Sequence, residues 1–272
     1  MRILLCCLSF KNFTGSEIYF YELATSLINL GHKVHLFSRF SGSPLTEKNK
    51  NISYENVDSV KRIKFDLVVF SHGTVMWDFI KDIECDKYTN IIHSEVLELE
   101  TPVYNSKVTR YIGIRPSIVE HFKDIKCDLI YNPFDTSRFN PTKCRKKDIK
   151  NKVVLFPGSI DYLRIKPIRY LLDLSIQQNF KLMHVGRDDY NIHHKNFISF
   201  EPSWEMESFY SKCDIVSGIF LGRTSIEGLL SGKRVLQFDV DSKGEIKRVY
   251  WHKEDNLEKF NRETVCNQII QI

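Results

Sequence analysis

The stretch MRILLCCLSFKNFTGSEIYFYELATSLINLGHKVHLF, from Met1 to Phe37, decides how the rest of the chain is read. Ile3–Leu8 is a continuous apolar run, the pattern of a strand buried on both faces of a parallel sheet. From about Ser16 to Leu30 the period changes. Ile18, Phe20, Leu23, Ala24, Leu27 and Ile28 form a wide apolar face on a helix. Gly31 stops that helix, and Lys33–Phe37 begins a second strand. Strand, helix and strand in this order make a βαβ unit.

Outward from that unit the alternation continues. Asp66–Ser71, Thr89–His93, Tyr111–Ile114 and Asp128–Tyr131 read as further buried strands, with helical segments between several of them. One of these is Pro116–Phe122, with Pro116 at a favoured first helical position. Residues 141–152 interrupt the pattern. They are polar, with six basic groups (Lys143, Arg145, Lys146, Lys147, Lys150 and Lys152) against one acid, and read as a linker.

Alternation then restarts. Strands are expected at Val153–Phe156, Lys181–Val185, Phe197–Phe200, Ile215–Ile219 and Val235–Val240. Helices are expected at Pro167–Gln178, near Trp204–Lys212 and from about Thr224 to Leu230, with a last amphipathic stretch over Asp255–Ile270. Two successive arrays of this kind predict an α/β protein of two doubly wound, Rossmann-like domains facing one cleft. The expected boundaries are 1–142 for the first domain and 153–254 for the second. Residues 255–272 form a C-terminal helix, whose return to the first domain is one alternative.

Composition narrows the classes. In 272 residues there are 12 glycines and 8 prolines, too few for a collagen-like or linker-dominated chain. Basic residues exceed acidic ones by five, an excess that permits an anionic partner without demanding one. The seven cysteines include no C-x-x-C pair and sit mostly among apolar neighbours, so they read as reduced core thiols. No apolar run approaches the ~18–20 residues needed to span a bilayer. The expectation is a cytoplasmic protein, with membrane contact confined to its surface.

The architecture first suggests a nicotinamide-dependent enzyme, but the glycine fingerprint is missing. After the first strand the chain reads Ser9-Phe10-Lys11-Asn12-Phe13-Thr14-Gly15-Ser16, with one glycine where G-x-G-x-x-G needs three. No G-x-x-x-x-G-K-[ST] loop is present either. Gly15 and Ser16 still open a helix, where backbone N–H groups can approach a phosphate.

Taken in order, several segments resemble glycosyltransferase family 4 of the GT-B class. Met1-Arg2-Ile3-Leu4-Leu5, Thr14-Gly15-Ser16-Glu17, Tyr21-Glu22-Leu23-Ala24 and Leu30-Gly31-His32-Lys33-Val34 are similar to the family's first βαβ unit. Asp66–Gly73 resembles its next strand, and Tyr131–Pro141 the segment closing the first domain, with Pro133 in place of a glycine. Phe156-Pro157-Gly158 and His184-Val185-Gly186 resemble the donor-side strand ends. The most specific likeness is Gly222-Arg223-Thr224-Ser225-Ile226-Glu227-Gly228, similar to the second half of the family's E-x7-E motif.

The resemblance implies a nucleotide-diphosphate-sugar substrate, no separate cofactor and no metal. Glu227 would accept hydrogen bonds from the ribose, and the N–H groups of Thr224 and Ser225 would bind a phosphate at the helix N-terminus. A departing diphosphate needs positive charge. The family has an arginine and, five residues later, a lysine at positions that are here Ser159 and Arg164. Lys166 is the alternate, and Arg187 or Arg223 could compensate. The first acid of E-x7-E falls on Ile219. In the first domain, His93 would orient the reacting sugar or relay a proton, with Glu95 beside it; a hydrogen-bonded structural role is the alternative. His72 reads as a strand end, and His193-His194 lacks metal-ligand spacing.

The implied activity is sugar transfer, with retention of configuration, from the donor to an acceptor hydroxyl. The acceptor is either an envelope glycan or a hydroxymethylated base in duplex DNA. The basic run suits anionic DNA or an anionic membrane surface alike. A non-catalytic nucleotide-sugar-binding protein of the same fold is the alternative, supported by Ser159 and Ile219.

Overall fold

The structure, a computed structural model, describes residues 1–139 and 152–271. Lys143, Arg145, Lys146, Lys147 and Lys150, and with them nearly all of the expected linker, lie outside the described residues. The chain divides into two compact units. One comprises Met1–Phe134 and the segment from Lys259 onward; the other is Asp135–Glu258.

The first unit runs β1 (Arg2–Phe10), α1 (Gly15–Asn29), β2 (Lys33–Ser41), β3 (Ser53–Glu55), α2 (Val57–Val60), β4 (Leu67–Phe70), α3 (Gly73–Ile80), β5 (Tyr88–Ile92), β6 (Val108–Gly113), α4 (Pro116–His121) and β7 (Cys127–Leu129). All of its paired strands are parallel, in the order β3-β2-β1-β4-β5-β6-β7. β1 lies inside the sheet, between β2 and β4, and Ile3, Leu4, Leu5, Cys6 and Cys7 are covered on both faces and fully buried.

The second unit runs β8 (Val153–Pro157), α5 (Ile165–Gln178), β9 (Lys181–Val185), β10 (Phe197–Phe200), α6 (Met206–Tyr210), β11 (Ile215–Ile219), α7 (Arg223–Leu230), β12 (Arg234–Val240) and β13 (Ile246–His252). Its order is β10-β9-β8-β11-β12-β13, parallel except for β13, which is antiparallel to β12. The last helix, α8 (Arg262–Ile270), belongs to the first unit. It packs on α1, where Arg262 reaches Glu22 at 3.3 Å and the Cys266 thiol faces the Leu23 carbonyl at 3.8 Å.

Both sheets turn back on themselves at their first strand. The chain builds outward from β1 through β2 to β3, then returns to β4; the second unit does the same from β8, through β10, to β11. In open parallel sheets such switch points, at the carboxyl ends of the strands, are where ligands bind.

Several expectations are corrected. Asp128–Tyr131 is not a strand buried on both faces. β7 is a three-residue edge, with Leu129 40% exposed, because no strand lies beyond it. The helix expected near Trp204–Lys212 is the short α6. β13 was not expected: Lys247, Arg248, Tyr250 and Trp251 lack the apolar run of a buried strand. It serves as an antiparallel edge, with Arg234 stacked at 4.0 Å over Trp251 and Arg248 at 4.3 Å over Tyr250. The short β3 was likewise unexpected. Among the described residues no helix is long and apolar enough to cross a membrane.

Candidate functional site

At the switch point of the first unit, Glu17 closes the loop that follows β1. Its buried carboxylate accepts the Ser9 hydroxyl at 2.5 Å and the Lys11 N–H at 3.1 Å on one oxygen. On the other it accepts the Thr14 hydroxyl at 2.7 Å and the Thr14 N–H at 3.3 Å. The sequence carries the signal for this in Thr14-Gly15-Ser16-Glu17, the spacing by which an acid reaches back to a helix cap. Gly15 is exposed, its φ is not positive, and a Cβ added there would meet nothing within 4 Å. Backbone geometry alone does not demand a glycine at this position. Ser16 beside it is half-buried.

Beyond β4 the chain turns through His72 in the left-handed region, at φ 57° and ψ 50°. The His72 Nδ1 lies 2.9 Å from the Ser71 hydroxyl and accepts the Leu8 N–H at 3.4 Å. A nitrogen that accepts cannot carry the proton of the neutral ring, so Nε2 carries it, 3.4 Å from Glu100 Oε1. Burial pushes the His72 pKa down to about 4 and that of Glu100 up to about 7.

His93 follows β5. Its ring meets the edge of Tyr19 at 4.8 Å and stacks on His72 at 6.3 Å, and its Nε2 is buried without a hydrogen-bond partner. Burial, then the charges of His72 and Arg115, hold its pKa well below the usual histidine range. Its main chain is gripped from both sides. Glu100 Oε2 accepts the His93 N–H at 3.3 Å, and Arg115 donates to the His93 carbonyl at 3.1 Å. Arg115, itself buried, also pairs with Glu95. Burial works against the charged form of Glu95, but the Arg115 charge and hydrogen bonds from Arg115, Ser117 and the backbone together hold the carboxyl below its ordinary range.

His93 and Glu95 are therefore brought together, through Arg115. Sequence reasoning missed Arg115 and Glu100. Glu100 stands among other acids in a short turn and Arg115 alone before a helix, and nothing in their spacing marks them.

In the second unit the strand ends meet through glycines. Gly158, after β8, has φ 104°; Gly186, after β9, has φ 154°, and a Cβ there would lie 2.4 Å from the Gly158 carbonyl oxygen. Only glycine permits that approach. The carbonyl accepts a 2.8 Å bond from His184 Nε2, so the Nδ1 of the same ring accepts from the Ser199 hydroxyl at 2.8 Å. Burial lowers the His184 pKa, which favours this neutral form.

Ser159 is half-buried just after this contact. Asp161 closes the turn that leads into α5, accepting the N–H groups of Leu163 and Arg164 at 3.1 Å each. Arg164 pairs with Asp161, and its Nε lies 3.8 Å from where a Gly158 Cβ would stand. The structure thus brings Arg164 and Gly186 to the same strand end. Lys166 instead pairs with Glu245, and the exposed Arg187 pairs with Asp189 at 2.6 Å.

At the other side of the switch point, Phe220 takes φ 54° and Gly222 caps α7. The first intrahelical bond comes from Ile226 to the Gly222 carbonyl, leaving the N–H groups of Thr224 and Ser225 without a bond inside the helix. Gly228 lets α7 lie against β11, since a Cβ there would come within 2.9 Å of Val216. Glu227 is buried. Its Oε1 accepts from Arg223 Nε at 2.8 Å and its Oε2 from the Tyr210 hydroxyl at 2.7 Å. Tyr210, on α6, was not foreseen, because seventeen residues separate it from its partner. Ile219 is buried and apolar where the family places an acid. Among the described residues no group of three or more His, Cys, Asp and Glu side chains could hold a metal ion.

No protein-family model and no curated protein matches the chain. Its fold is nevertheless similar to solved structures. Anabaena HepE in complex with UDP-glucose superposes with a TM-score of 0.68 at 14% identity, covering 89% of this chain and 82% of that one. A glycosyltransferase from Rickettsia africae gives 0.64 at 17% identity, covering 98% and 87%. An α-glucosyltransferase in complex with UDP and a 13-mer DNA gives 0.58 at 12% identity, covering 88% and 79%. The two sheets, their strand order and these likenesses together make the fold GT-B.

Proposed function

We propose that the chain is a family 4-type, metal-independent glycosyltransferase, moving a sugar from a nucleotide-diphosphate donor to an acceptor hydroxyl with retention of configuration. The observation that carries this reading is the pairing of Glu227 with Arg223 and Tyr210 at the start of α7, beside the switch point of a Rossmann-like sheet. The second unit takes the nucleotide. Each oxygen of Glu227 has one donor from the protein, and a carboxylate offers about four acceptor positions, so ribose hydroxyls have somewhere to bind. The free N–H groups of Thr224 and Ser225 meet the diphosphate, and the bare backbone at Gly158 and Gly186 admits it closely. Arg164, with Ser159, Lys166 and Arg223 as further donors, offsets the charge that develops as the diphosphate leaves.

In the first unit, Gly15 and Ser16 offer an open helix start to the donor, and His93 with Glu95 orients the reacting sugar. The leaving phosphate takes the acceptor proton as the acceptor oxygen bonds to the anomeric carbon on the same face. We place this chemistry in the cytoplasm, on a glycan acceptor or on hydroxymethylated duplex DNA; the likeness to a DNA-bound glucosyltransferase keeps the second open.

The test is incubation with a panel of nucleotide sugars and measurement of nucleotide release. Radiolabelled donors are then offered with hydroxymethylated duplex DNA and with a lipid-linked glycan. Release with label in one acceptor supports the reading and names the acceptor. Tight donor binding with no release and no acceptor-dependent turnover supports the non-catalytic alternative, for which the buried Ile219 speaks.

A further inference from the structure

Glu100 lies in a 3₁₀ turn, Glu98–Glu100, that crosses the ends of β4 and β5. The segment is fastened there. Thr74 donates to the Leu99 carbonyl at 3.2 Å, the Val103 N–H bonds Asn90 Oδ1 at 3.1 Å, and Tyr111 donates to the Val103 carbonyl at 2.7 Å. It packs so closely on the start of α3 that a Cβ at Gly73 would meet Val103 at 2.8 Å and the Thr101 carbonyl at 2.9 Å. The Glu100 carboxyl is therefore held in place, 4% exposed, with two jobs visible at once. Oε2 accepts the His93 N–H, and Oε1 faces the proton-bearing Nε2 of His72, whose ring stacks on that of His93.

We propose that Glu100 is a positioning residue: by joining the His93 main chain to the His72 ring it fixes where the His93 imidazole stands and reinforces the His72 tautomer that the Leu8 N–H selects. The proposal rests on the reading of His93 as the group that faces the reacting sugar. Three observations support a role beyond packing. His93 Nε2 is buried with no partner, the state of a group kept ready for something not present. His72 is held in a left-handed backbone conformation that residues with a Cβ rarely adopt. A buried acid also costs stability that an apolar residue would not.

The charged and titratable groups around this acid are Glu17 from α1, His72 before α3, His93 and Glu95 after β5, and Arg115 before α4. Arg115 holds the His93 carbonyl while Glu100 holds its N–H, so an acid and a base grip one peptide segment from opposite ends. An amide at position 100 has a single acceptor oxygen and serves only one of the two donors; an alanine serves neither.

The experiment compares wild type, Glu100→Gln and Glu100→Ala with ¹⁵N-labelled histidine rings. In wild type the His72 ring is expected to show a protonated Nε2 and an unprotonated Nδ1. In Glu100→Ala the ring signals of both His72 and His93 move, and Glu100→Gln lies between. Should Glu100→Ala fail to fold, Glu100→Gln alone carries the test. In turnover, the variants lose about tenfold to a hundredfold in kcat with KM for the donor unchanged, and the limb of the pH profile near 7 present in wild type is lost. Ring signals unmoved in both variants, or a loss confined to KM with the pH profile intact, overturn the proposal. If wild type turns over no nucleotide sugar at all, the proposed function has failed. The ring spectra then still decide whether Glu100 positions the two histidines.

Discussion

In the first unit the ends of β4, β5 and β6 are held by buried charged side chains, Glu100 and Arg115 gripping His93 between them. In the second, the ends of β8 and β9 are held by two glycines whose backbones approach within a distance no Cβ permits. The strand order is the same, outward, back and outward again, so topology alone does not dictate how a switch point is built. A charged grip aims a side chain and responds to pH. A glycine contact removes side chains, leaving bare backbone donors for a ligand, and is indifferent to protons. The first device suits a residue that must point; the second suits a polyanion that must come close.

The sharpest way to break this comparison is at the buried Glu227–Arg223 pair of the second unit. Glu227→Ala is expected to lower the unfolding free energy by about 3–5 kcal/mol in urea denaturation, because it removes the buried carboxylate that Arg223 Nε and the Tyr210 hydroxyl both bond. Glu227→Gln, keeping an oxygen for one donor, loses less. A change under about 1 kcal/mol for the alanine would mean the pair is solvated, and the contrast between a charged grip and a glycine contact would have to be redrawn.

Gly186→Ala comes next. It drives a Cβ into the Gly158 carbonyl at a φ of 154°, and the expected loss is about 3 kcal/mol, read by the same denaturation. Loss of stability without loss of donor affinity would separate the glycine contact from ligand binding.

The charged grip predicts a pH dependence. Because burial raises the Glu100 pKa from 4.5 to about 7, the folded protein holds a proton there that the unfolded chain has released. Stability contributed at this position therefore falls as pH rises from 4.5 to 7. Wild type should lose about 2–3 kcal/mol relative to Glu100→Gln across that window. His72, lowered to about 4 from 6.5, works in the opposite sense, favouring the folded state as pH rises through 4–6.5, and it does so in both proteins. Parallel stability curves for the two would show that folding leaves the Glu100 pKa unshifted.

The smallest effect on stability is expected at Gly15→Ala, within about 0.5 kcal/mol, since the added methyl meets nothing. Nucleotide release should nonetheless drop if the donor approaches the backbone there. Unchanged stability with unchanged release would remove Gly15 from the site.

How much of this was legible depended on the kind of signal each element carries. β9 and β11 fall on the residues expected for them, because parallel strands inside a sheet demand apolar runs. β13 escaped because an antiparallel edge needs no such run, and cation–π stacking covers its aromatics instead. In the site, Gly158, Gly186, Gly222 and Glu227 were visible because the segments that carry them resemble glycosyltransferase family 4. Tyr210, Glu100 and Arg115 were not, because they act from loops or from a different helix.

By itself the sequence determined the alternation of strand and helix, the two arrays and the placing of glycines at strand ends, since each of these is a local pattern that backbone sterics and burial enforce within a few residues. Only the tertiary structure decided which charged groups meet. Glu227 finds Tyr210, and His93 lies between Glu100 and Arg115. Those pairings span separate elements, and their strength comes from burial, which no stretch of sequence specifies until the sheet has brought its strand ends side by side.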